Sequence, residues 1–117
     1  MLFRSRVKLD PAPVVLLDGI LALHWPVVRK VLDLAVYVDV SDDVRFIRRL
    51  RRDVSERGRT VESVITQYLS SVKSMHDTYV APQKFVADII VSWMDHNDRA
   101  VDMLAGMVTG WQTESKS

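Results

Sequence analysis

A parallel α/β sheet flanked by helices is the fold class this sequence predicts, and three observations carry that prediction. Short runs of continuous apolar residues occur at 14–17, 34–40 and 87–91. They lack the polar alternation of a half-exposed strand, so each reads as a strand buried on both faces. Stretches of helical period separate them, and strands alternating with helices favour parallel pairing. The length of 117 residues and the make-up, 48% hydrophobic and 26% charged, are those of one globular unit. Three strands make a thin sheet, so the expected architecture is part of a larger doubly wound domain.

The elements follow in order. Residues 1–13 have no clear period, and Pro11 and Pro13 forbid a helix there. Met-Leu-Phe-Arg-Ser is also what GTG CTC TTC CGA TCT would encode with GTG as the start codon, so a sequencing-adapter end joined to a truncated gene is expected, with a natural short N-terminus as the alternative. Residues 1–5 therefore stand outside the fold expectations. Val14, Val15, Leu16 and Leu17 form the first strand, ended by the turn signal Asp18-Gly19. Pro26 suits the first turn of a short helix within 20–33, since it lacks only an N–H that would be unpaired anyway. The second strand ends at Asp39, and Ser41 or Asp42 can cap the next helix.

That helix is strongly two-sided. Phe46, Ile47, Leu50 and Val54 share one face of a 100° wheel, and Arg45, Arg48, Arg49 and Arg52 share the other. Gly58 is a natural stop. Thr60 can cap a following helix in which Val61, Val64, Ile65, Tyr68, Leu69, Val72 and Met75 recur at helical spacing, with Pro82 as its limit. Asp95 to Asn97 can cap a last helix bearing Val101, Leu104 and Val108. Residues 14–112 make up the expected domain portion and 113–117 a polar tail.

Charge is more informative in its distribution than in its total. The chain carries a net +1, yet Arg45, Arg48, Arg49, Arg51, Arg52, Arg57 and Arg59 leave the 45–59 window at +5 and the rest at −4. Arginine presents a planar fork of donors that matches phosphate and stays charged at any working pH. A solvated face with local pairing to Asp53 and Glu56 is the plainer alternative. The excess, all Arg and no Lys, favours a polyanion. Nucleic acid is disfavoured because no aromatics interleave with the arginines to stack bases. Asp18 and Asp39 end strands, where ligands of open parallel sheets bind, and such an acid can hold Mg²⁺. His24, His76 and His96 lack metal-ligand spacing. The absence of Cys excludes disulfides, thiolate metal sites and a Cys nucleophile. No apolar run approaches the ~20 residues of a membrane span, and a cytoplasmic setting is expected. Four glycines, at 19, 58, 106 and 110, cannot make a GxxxxGK[ST] phosphate loop.

Four strings then carry a resemblance: VVLLDGILAL, VDVSDDVRFIRRLRRDVSERGR, ESVITQYLSSVKSMH and APQKFVADIIV. Together they resemble the C-terminal half of the uridine (uridine–cytidine) kinases, from about residue 7 to about residue 92. The most specific piece is Arg48-Arg49 followed by Arg52-Asp53-x-x-Glu56-Arg57-Gly58-Arg59, with Gln67-Tyr68 and Pro82-x-Lys84-x-x-Ala87-Asp88 adding to it. Phosphoribulokinases share part of this pattern.

The resemblance implies a P-loop NTPase-type, doubly wound sheet whose N-terminal half, with the P-loop, the base and the nucleobase pocket, is absent from these residues. It implies ATP and Mg²⁺ as cofactors, and transfer of phosphate to the 5′-hydroxyl of uridine or cytidine. Arg52 and Arg57 resemble lid arginines that hold ATP phosphates. Arg49 and Gln67 resemble groups that bind the ribose, with Arg59 close by. Asp18 stands where the family usually has a Glu, and Ser74 and Val86 replace the usual Pro and Tyr. The expected partners are nucleosides and nucleotides, with neither nucleic acid nor membrane, and a homo-oligomer is possible for the complete parent. The chain by itself is expected to be inactive. The alternatives are a fragment of a phosphoribulokinase-like sugar-phosphate kinase and a non-catalytic anion-binding or interaction module.

Overall fold

Two of the three apolar runs pair. β1 (Val36–Asp39) and β2 (Ile89–Ser92) form a parallel two-stranded sheet, with Val36 opposite Ile89 and Asp39 opposite Ser92. This is seen in a computed structural model that describes residues 12–115. Residues 1–11, including the expected joining scar, lie outside the described residues. Parallel neighbours need a long crossover, which residues 40–88 supply with their helices. The start of the ladder is locked by a reciprocal clamp: Asp88 Oδ2 accepts from the Ala35 amide at 2.8 Å, and the Ala35 carbonyl accepts from the Asp88 amide at 2.8 Å. The Trp93 amide extends the pairing by donating to the Asp39 carbonyl at 2.9 Å.

The expected first strand is corrected. Residues 14–19 form no regular secondary structure and join no ladder among the described residues, and Leu16 is 89% exposed. An apolar run records a preference for burial. A strand forms only where a second backbone offers its donors and acceptors in register, and β1 and β2 offer those groups to each other. The expected helix within 20–33 contracts to one turn, α1 (Pro26–Arg29), with Pro26 in its first turn.

α2 (Asp42–Ser55) forms as expected from its amphipathic pattern. Ser41 occupies the N-cap without a capping hydrogen bond, because its hydroxyl donates to Asp43 instead. The Asp43 carboxylate in turn accepts from the Val44 amide at 2.8 Å, and those two hydrogen bonds hold its carboxyl below the usual range. Gly58, at φ +63°, turns the chain in the left-handed region that glycine enters without a Cβ penalty. Thr60 caps α3 (Val61–Gln67), its Oγ1 accepting from the Ser63 amide at 3.1 Å. The helix does not keep a 3.6 period to Pro82. It widens into π turns at Tyr68–Val72 and His76–Val80 around α4 (Lys73–Met75), and tightens into a 3₁₀ stretch at Ala81–Val86. Asn97 caps α5 (Asp98–Ser115) through the Ala100 amide at 3.3 Å. α5 passes the expected end of the domain at 112.

Packing is sparse. Leu23, Ala35, Val64 and Val91 are the buried apolar residues among those described. The surface is 9765 Å², where a compact 13.4 kDa chain would expose roughly 6,500 Å². Val38 and Ile90, on the two strands, are 56% and 52% exposed. Phe46 of α2 meets Tyr68 at 4.8 Å between ring centroids, tying the two long helical segments together. Among the described residues no helix is long and apolar enough to cross a membrane.

Candidate functional site

Helix period places the arginines of α2 in a row, but tertiary contacts give them unequal roles. Arg45, Arg48, Arg49 and Arg52 line a cleft of about 940 Å³ that runs past Asp18, Tyr68 and His76. Arg45 donates through Nε to the Val40 carbonyl at 3.1 Å and pairs with Asp42. Arg48 reaches the far end of the sheet, where its Nη2 donates to the Met94 carbonyl at 2.8 Å. Both tie backbone together. The wheel had set this face opposite the apolar one; in the structure Phe46 lines the same cleft. Ile47 and Val54, assigned to the apolar side, are 46% and 37% exposed.

Arg52, Arg57 and Arg59 converge on Asp53, which is 2% exposed. Arg52 Nε donates to Asp53 Oδ1 at 3.0 Å. Arg57 Nη1 stands 3.8 Å from the same oxygen and Arg59 Nη1 stands 3.6 Å from Oδ2. Burial pushes the Asp53 carboxyl up, but the Arg52 hydrogen bond and the charges of Arg52, Arg57 and Arg49 outweigh it and hold the carboxyl below its usual range. Arg59 continues the network into α3. Its Nη2 donates to the Ser63 carbonyl at 3.0 Å, and its Nη1 donates to Gln67 Oε1. The structure therefore gathers Arg52, Arg57, Arg59 and Gln67 around one corner, with Arg49 on the adjoining wall of the cleft. Asp18 is exposed on the irregular segment 14–19 and lines the same cleft.

Three features of this region exceed the sequence reading. Asp53 had only a local pairing role there, yet it is the hub; the alternation of Arg and acid in Arg52-Asp53-x-x-Glu56-Arg57 was the available signal. Gln83 is 5% exposed and bridges three backbone groups: it accepts from the Leu23 amide at 3.0 Å and donates to the Ile20 and Tyr79 carbonyls at 2.7 and 2.8 Å. It thereby fixes the turn that follows Asp18. His76 lies on the cleft with Nδ1 buried and without a hydrogen-bond partner among the described residues. Burial and the positive charge of Arg45 push the imidazole down from its usual value, with Asp77 opposing them.

The phosphoribulokinase/uridine kinase family model matches residues 3–100. The chain belongs to that family. Among similar curated proteins, the uridine kinase of Clostridium botulinum (strain Langeland) is 50% identical over 102 residues, covering 87% of this chain and 50% of that protein. The uridine kinase of Lactobacillus helveticus is 50% identical over 98 residues, covering 84% of this chain and 46% of that one. A uridine kinase of Clostridium perfringens is 48% identical over 101 residues. The chain thus spans about half the length of the curated relatives it matches. Within this kinase family, the part in hand brings the arginine corner and the two-stranded sheet.

Proposed function

We propose that this chain is the lid-bearing, C-terminal portion of a uridine kinase, whose complete domain moves the γ-phosphate of ATP to the 5′-hydroxyl of uridine or cytidine. The observation that carries the reading is the corner at Asp53, where three guanidiniums meet one carboxylate. Phosphoryl transfer requires positioning and neutralisation of spreading negative charge, which fixed arginines supply. Arg52 and Arg57 are proposed to take the ATP phosphates, and Arg49, Arg59 and Gln67 the nucleoside ribose. The donor set suits a triphosphate. It does not by itself suit Mg²⁺: among the described residues no three His, Asp or Glu side chains converge, and Asp18 stands as a lone carboxylate, so no step is assigned to the metal here. The reading places the chain in the cytoplasm, with nucleosides and nucleotides as its partners.

Steady-state kinetics on a chain completed with the N-terminal half of a matched uridine kinase tests this. Arg52→Gln and Arg57→Gln should each depress kcat heavily, toward the ~10³–10⁵ that a phosphate-stabilising arginine is worth in related systems. Arg49→Gln and Gln67→Ala should raise KM for uridine. Arg52→Lys should recover only part of the loss, since a point charge lacks the fork. Equal, small effects at positions 45, 49 and 52 would return the row to an ordinary polar surface.

A further inference from the structure

Asp53 is a buried carboxylate to which the proposed function assigns no contact with substrate. A carboxylate this deep needs charged or hydrogen-bonding partners, and it has three. Arg52 belongs to its own helical turn, Arg57 follows the end of α2, and Arg59 lies beyond Gly58. The acid is covered while the cations are open: the arginine side chains are 43%, 61% and 31% exposed, in that order. Only the Arg52 contact has hydrogen-bond length. Arg57 stands at ion-pair distance from the carboxylate, which leaves donors of its fork available to a second acceptor, whereas Arg59, also at ion-pair distance, already donates to Gln67 Oε1 and the Ser63 carbonyl. The backbone shares the arrangement, because the Arg59 amide donates to the Asp53 carbonyl at 3.0 Å across the turn at Gly58.

Three guanidiniums held this close repel one another. One buried carboxylate offsets that repulsion and cancels one of the three charges, leaving an excess of two facing solvent. A polyphosphate needs such an arrangement: planar donors, gathered before the anion arrives, with charge still to satisfy. We infer that Asp53 is a positioning residue, a buried counter-charge that holds Arg52 and Arg57 as a preassembled cradle for a polyphosphate and anchors Arg59 beside them. The inference rests on the lid reading above. It also makes a prediction of sign. An acid that merely sits near an anion site repels the anion, and its removal tightens binding; an acid that builds the site loosens binding when removed.

The test is calorimetric titration of the 117-residue chain with inorganic tripolyphosphate, together with NMR of its ¹⁵N-arginine side chains. Wild type should bind with an affinity that falls as salt rises. Asp53→Asn should bind about tenfold more weakly or worse despite its added positive charge, and should lose the protected Arg52 Nε–H signal while keeping a cooperative unfolding transition. Asp53→Glu, which retains the charge, should recover part of the affinity. Equal or tighter binding by Asp53→Asn overturns the positioning role and leaves the lid reading standing. Absence of salt-sensitive binding by wild type overturns the lid reading and the cradle with it. Should Asp53→Asn fail to fold, titration of wild type decides: the Nε–H signals of Arg52 and Arg57 must shift together, and a shift at one alone overturns the inference.

Discussion

Replacing Gln83 by methionine preserves chain length and approximate volume and removes the amide. Three hydrogen bonds go with it: from the Leu23 amide at 3.0 Å, and to the Ile20 and Tyr79 carbonyls at 2.7 and 2.8 Å. At about 1 kcal/mol net for each, the loss is ~3 kcal/mol. The Leu23 amide is the group left without a substitute, since Leu23 is 6% exposed and water does not readily replace the lost acceptor. Against a total of ~5–15 kcal/mol for an ordinary domain, such a loss is large, and in a chain with so small a core it is larger in proportion. Urea unfolding followed by tryptophan fluorescence should show a lower midpoint at unchanged slope. Hydrogen exchange should show the Leu23 amide losing protection ahead of the β1 and β2 amides, because the turn at 20–24 loses its anchor first. A stability change under ~0.5 kcal/mol, with Leu23 still protected, would refute the bridging role.

Other outcomes follow from the same contacts. His76 has its imidazole pushed below the ordinary 6.5 by burial and by Arg45. Between 6.5 and that lower folded value the unfolded chain binds a proton that the folded chain does not, so stability falls as pH drops through the window. His76→Phe should flatten this slope in urea midpoints compared at pH 5, 6 and 7, and an unaltered slope would count against the burial. With Val38, Ile90 and Leu16 more than half exposed, the isolated chain should self-associate, visible as a concentration-dependent mass in light scattering; a mass that stays monomeric across concentrations would contradict this. Arg45 is occupied by Val40 and Asp42, so Arg45→Gln should leave turnover of a completed kinase within about twofold, whereas Arg52→Gln should not; equal losses at the two positions would remove the distinction.

The sequence by itself determined what short-range chemistry can decide. Thr60 and Asn97 cap helices because a side-chain oxygen needs only an amide three residues on. Gly58 ends a helix because it alone lacks the Cβ that resists positive φ. The amphipathic pattern around Phe46, Ile47, Leu50 and Val54 and the apolar runs at 34–40 and 87–91 needed no distant knowledge, and the spacing of Arg52, Asp53, Arg57 and Arg59 already marked both the kinase family and the candidate site. The tertiary structure decided the rest, because it depends on which distant backbone is near. Residues 14–17 have the composition of a strand but form none among the described residues, since pairing belongs to two segments and not to one. Gln83 meets Leu23 across 60 residues and Arg48 meets Met94 across 46, distances at which no periodicity in the chain reports contact. Asp53 lies buried among arginines that the sequence placed beside it only in order. The corner between α2 and α3, turned at Gly58, gathers Arg52, Arg57 and Arg59 around it as a candidate site.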